Sequence, residues 1–160
     1  MIDDDHGVRR AFVPAGGSSP ADLVSLHREA LRVLRPDLDS AHLDAYTDGA
    51  WPQEVLSSYA SLLALSREAV AAGTRSRRDD PGMGIDIDTR DDAQFGLLLD
   101  LAPFSIHAEG RCAGRTVFTA DDGGALWIAL TRAQESELLA RLAAHGIPAV
   151  ALVASAARGR

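Results

Sequence analysis

The sequence predicts an α+β fold in which N-terminal helices pack against a small mixed sheet of β-β-β-α-β order. Three observations predict it. Apolar residues recur at helical spacing in two long stretches before residue 73. An acidic, glycine-containing break then covers residues 74–92. Beyond residue 104 the pattern turns to strict alternation and a hairpin signature.

Residues 1–18 read as a tail, because Asp3-Asp4-Asp5, Arg9-Arg10 and Gly16-Gly17-Ser18 carry no apolar period, although Phe12 and Val13 can dock on a core. A single domain is expected over 19–155, with a helical part at 19–73, an acidic loop at 74–92 and a mixed part at 93–155. Residues 156–160 read as a second tail.

Ser19 suits an N-cap, Pro20 the first helical position and Asp22 the positive end of the helix dipole. Leu23, Leu26, Ala30, Leu31 and Leu34 give one apolar stripe, which Pro36 ends. A short helix is expected at Ala41 to Thr47 behind Ser40. A long one is expected from Pro52 to about Gly73, with Val55, Leu56, Tyr59, Leu62, Leu63 and Val70 at helical spacing.

Phe95 to Leu101 fits either a strand or a helix. The good starters Asp91 and Asp92 and the stop at Pro103 favour a helix. Phe104 to Gly110 alternates strictly, as a strand does. Arg115 to Ala120 and Ala125 to Leu130 flank Asp121-Asp122-Gly123-Gly124, where Asp and Gly tolerate the positive φ of a tight turn. Thr131 and Gln134 make a capping box for a helix that Gly146 ends. Ile147 to Val153 reads as a last strand, parallel to the one ending at Leu130.

Composition excludes several chemistries. All 16 basic residues are Arg, with no Lys and no Asn, the mark of a GC-rich bacterial genome. Schiff-base lysines, a phosphate-loop lysine and N-glycosylation acceptors are therefore absent. The single Cys112 excludes an internal disulfide framework and a Cys-rich zinc site. No cofactor motif occurs, so no cofactor is expected. The net charge is −7, and 13 acids against 9 Arg in residues 1–80 are followed by 10 against 7 in residues 81–160. That even spread opposes nucleic-acid and anionic-membrane binding. The acidic start and the lack of a long apolar run predict a cytoplasmic protein.

Two constellations can carry chemistry. Asp86, Asp88, Asp91 and Asp92 offer hard oxygen ligands for Ca²⁺ or Mg²⁺, but their spacing is not that of an EF-hand and Arg90 opposes a cation, so no metal is expected there. Period two puts Ser105, His107, Glu109 and Arg111 on one strand face: a weak nucleophile, a base beside a carboxylate, and an anion holder. The wet face of an antiparallel sheet carries the same residue types, and that plainer reading is preferred. Trp127 points away from Leu126 and Ile128, towards the His107 face or solvent, and is a candidate interface anchor.

The favoured function is a non-catalytic protein–protein interaction module of adaptor, immunity-like or chaperone-like kind. Its partner would be another protein, or a second copy paired through an edge strand or the hairpin. The alternative is a small-molecule-binding or enzymatic domain with a site around His107.

Overall fold

The computed structural model describes residues 7–156. The expected tail segments 1–6 and 157–160 lie outside the described residues.

The elements run β1 (Arg10–Pro14), α1 (Pro20–Leu34), β2 (Ser40–Asp44), α2 (Leu56–Ala71), β3 (Ile85–Ile87), α3 (Asp92–Leu101), β4 (His107–Cys112), β5 (Arg115–Asp121), β6 (Ala125–Leu130), α4 (Arg132–Ala144) and β7 (Leu152–Ser155). The fold is α+β: the described residues form four α-helices and one seven-stranded sheet in the order β3-β2-β4-β5-β6-β1-β7.

The expected mixed sheet of β-β-β-α-β order is corrected. Every neighbouring pair is antiparallel, and three of the strands come from the first 90 residues. β6 and β7 do run in the same direction, since both are antiparallel to β1, but β1 lies between them. β3 and β4 are separated by β2 in the same way. The α3 and α4 connections therefore each skip one strand position, and a strand from earlier in the chain fills the gap.

Three short segments account for the difference. Residues 10–14, expected in a tail, form β1, with Phe12 4% exposed between Ile128 on one side and Ala154 on the other. Arg9 anchors its start, donating to Asp37 at 2.7 Å, to Gln134 at 2.7 Å and to the Ala129 carbonyl at 3.1 Å. The expected helix at 41–47 is β2, because Ala41 and Leu43 face the core while His42 and Asp44 face away. Ile85-Asp86-Ile87 of the expected loop is β3, alternating buried, exposed, buried. The strand expected from Phe104 begins at His107, because Ala102–Phe104 form a 3-10 turn after α3.

The last strand, expected over Ile147 to Val153, begins only at Leu152, because Ala149–Ala151 form a 3-10 turn after Pro148. Several cap and turn signals hold. Ser19 caps α1 by accepting from the Asp22 amide, and Asp91 caps α3 by accepting from Gln94. Thr131 and Gln134 close the capping box of α4. Gly123 and Gly124, at φ +80° and +81°, turn the β5–β6 hairpin.

One face of the sheet is apolar. Phe12, Ala41, Leu43, Ile85, Ile87, Ala108, Phe118, Ala120, Leu126 and Ile128 alternate onto it, and all are buried. The helices pack there: the ring of His27 on α1 meets Phe118 edge-on, with centroids 6.4 Å apart. His27, which is not one of the residues of the apolar stripe, is 1% exposed, and its Nδ1 donates to the Leu23 carbonyl at 2.6 Å. The alternate residues form the opposite face, on which the candidate site lies. Among the described residues no helix is long and apolar enough to cross a membrane.

Candidate functional site

The antiparallel register assembles the site. His42 stands opposite Asp86 on one side and Glu109 on the other. Asp44 stands opposite His107, which in turn stands opposite Asp121. Glu109 stands opposite Thr119, and Thr119 opposite Trp127. Directly paired residues share a sheet face. Five strands thus bring two imidazoles, four carboxylates and Trp127 onto one surface.

His107 is braced from both sides. Its Nδ1 lies 2.8 Å from Asp121 Oδ1 and its Nε2 lies 3.7 Å from Glu109 Oε2. Asp121 accepts at the first distance, which places the ring proton on Nδ1. His42 lies beside it, with ring centroids 6.3 Å apart. The Nε2 of His42 is 3.1 Å from Asp44 and its Nδ1 is 3.9 Å from Asp86.

Arg111 donates to Glu109 at 2.5 Å, and the Thr116 hydroxyl reaches the same oxygen at 3.3 Å. A register shift between Gly110 and Arg111 brings Thr116 opposite Arg111 and makes that contact possible. Burial pushes the Glu109 carboxyl up, but the hydrogen bond and charge of Arg111, with help from Thr116 and His107, outweigh it and hold Glu109 below the usual carboxylate range.

Thr119 sits at the centre of this face and is only 1% exposed, and its hydroxyl has no hydrogen-bond partner among the described residues. Trp127, half-buried, packs against the core cluster from the same face. Beyond Trp127 the face becomes apolar. Ala129, Ala11, Val13 and Val153 continue it across β6, β1 and β7.

Three of the four residues expected on this strand, His107, Glu109 and Arg111, share the face. Ser105 does not join them. It precedes the strand, is 3% exposed, and donates to the Ala102 carbonyl at 2.9 Å. Sequence reasoning missed His42, Asp44 and Asp121 as neighbours of His107. The alternation of Ala41-His42-Leu43-Asp44 was the available signal for two of them.

The acidic loop does not gather. Asp88 accepts from the Arg90 amide, Asp91 caps α3, Asp92 pairs with Arg35 at 2.6 Å, and Asp86 faces His42. Among the described residues no group of three or more His, Cys, Asp or Glu is arranged to hold a metal ion. Arg75 is committed to the loop that follows it: its guanidinium donates to the Asp80, Met83 and Gly84 carbonyls.

Two cavities lie elsewhere. One of about 490 Å³ runs between Arg10 on β1 and Arg132, Glu135 and Leu139 on α4. Another of about 220 Å³ lies beside α2, at Ser66 and Val70. Comparison of the chain with protein-family models, curated proteins and solved structures found no match.

Proposed function

We propose that this protein is a non-catalytic interaction module that docks a partner protein with a basic surface on the uncovered face of its sheet. The observation that carries this reading is the charge of that face: Asp44, Asp86, Glu109 and Asp121 converge there against Arg111. Charged ladders of this kind steer a complementary partner and set its orientation. The adjoining Trp127 supplies an aromatic anchor next to the charged zone. The two cavities described border neither His107 nor Trp127, which favours a flat protein contact over a small-molecule pocket.

The experiment is an amide NMR titration of the full chain with an Arg-rich peptide, with an acidic peptide as control. Saturable shifts confined to β2, β4, β5 and β6 support the reading, and Glu109→Gln with Asp121→Asn weakens them several-fold. Shifts scattered over the helices, or equal shifts with both peptides, count against it.

One observation favours a second reading, an enzymatic or small-molecule site: the 2.8 Å contact between His107 and Asp121 fixes the imidazole tautomer that a general base needs. Glu109 already faces the other ring nitrogen at 3.7 Å, and Ser105, the candidate nucleophile, points elsewhere. Ligand-induced shifts centred on His107 in a small-molecule screen, abolished by His107→Ala, would transfer support to this reading.

A further inference from the structure

We propose that two copies of this chain associate about a twofold axis by antiparallel pairing of their β7 strands, which joins the two sheets into one.

The sheet has two ends, and they differ. β3 closes one end with three residues, and Asp86 at its centre has a side chain that is 98% exposed. A short strand carrying an exposed charge is a common way for a protein to block edge-to-edge pairing. β7 closes the other end. Its inner side pairs with β1 from Leu152 to Ser155, and among the described residues its outer side pairs with no strand.

Nothing in Leu152-Val153-Ala154-Ser155 blocks that outer edge: it holds no charge and no proline. Val153 is 44% exposed, and Val150, in the turn that leads into the strand, is 76% exposed. An open strand edge offers a row of backbone donors and acceptors to any strand that can reach it.

Charge selects a second copy as the occupant. About a twofold axis, each strand meets its own sequence run backwards. An uncharged strand meets itself without repulsion, whereas β3 would bring two copies of Asp86 close together. The pairing also extends a surface already present. Val153 lies opposite Val13 on the uncovered face, next to Ala11 and Ala129. Joining β7 to β7 makes this apolar band continuous across the axis. Four residues per strand form a small contact compared with standard interfaces, so the dimer is weak and concentration-dependent.

Analytical ultracentrifugation of the full chain from micromolar to millimolar concentration tests this. A reversible monomer–dimer equilibrium is expected. Val153→Arg shifts it at least tenfold towards monomer, whereas Leu56→Arg, the same change at an exposed apolar site on α2, leaves it unchanged. Hydrogen exchange of the unmodified protein gives a readout that does not depend on how the variant folds. Protection of the β7 amides rises with concentration and that of the β3 amides does not. A monomer at all concentrations overturns the proposal. So does a dimer that forms without added protection of β7, or one that a folded Val153→Arg variant retains.

Discussion

Glu29 of α1 and His145, the C-cap of α4, meet at 3.1 Å and tie the two helices together at the edge of the core. Arg141 of α4 adds a second contact at 3.3 Å, and Arg32 a third from within α1 at 2.5 Å. Burial pushes the Glu29 carboxyl up, but the hydrogen bond from His145 and the pull of Arg32 and Arg141 outweigh it, so its pKa lies below 4.5. The Glu29 side chain is 6% exposed while its partners are 41–47% exposed, so solvent screens the cluster from one side. Glu29→Gln is therefore expected to lower stability near neutral pH by about 1–2 kcal/mol, below the cost of breaking a fully buried pair. A lowered carboxyl pKa stabilises the fold above its unfolded value and loses that effect as pH falls through the folded value. The gap between wild type and variant, followed by urea unfolding, should narrow below about pH 4.5. A gap that stays constant with pH would remove the ionic contribution.

His27 predicts a second acid-sensitive window. Burial lowers its pKa below 6.5, the bond to the Leu23 carbonyl opposes that shift, and the charge of Arg28 reinforces it. The Nε2 atom is buried with no partner among the described residues, so protonation there has nothing to receive it. The unfolded chain therefore takes up the proton first, and stability is full above pH 6.5 and lost as pH falls below it. The loss approaches at most about 1.4 kcal/mol per pH unit for one site. Urea unfolding between pH 7.5 and 5.5 should show this slope in the wild type and a flatter one in His27→Leu. Equal slopes would mean that His27 is not the group responsible.

Ala113 stands at φ +49° in the β4–β5 turn, with Gly114 after it at φ +74°. Two consecutive positive φ values are those of the tight hairpin turn that favours Asn-Gly. Alanine carries a steric cost there that asparagine bears more easily. Ala113→Asn is expected to raise stability by about 0.5–1 kcal/mol. The Ala113 amide donates to the Asp39 carboxylate, a bond that the substitution leaves in place. A melting temperature that does not rise would show that this turn is already relaxed.

Much of the helical layer could be read directly. Ser19, Asp91 and Thr131 mark helix starts because their side chains satisfy local amides, a property that depends on the next three residues alone. The Gly123-Gly124 turn could be read for the same reason. The strands β1, β2 and β3 could not, since five or three residues of alternation occur by chance in any tail or loop. They become strands because neighbours at both sides, or at one, take up their backbone groups. The burial of His27 could not be read either, because α1 meets both Phe118 of the sheet and α4, so its buried arc is wider than the stripe of leucines.

The site divides along the same line. Period two alone put His107, Glu109 and Arg111 on one strand face and turned Trp127 away from Leu126 and Ile128. Which residues stand beside them was settled by the insertion of β2 next to β4 and of β1 between β6 and β7. His42 and Asp44 lie on β2 and Asp121 on β5, whereas His107 lies on β4, so hydrogen bonding between strands fixes their register. Local propensity chooses helix starts, turns and the two faces of each strand. Strand order is chosen by the global requirement that all the apolar faces be buried against one helical layer, and that requirement is carried by the tertiary structure.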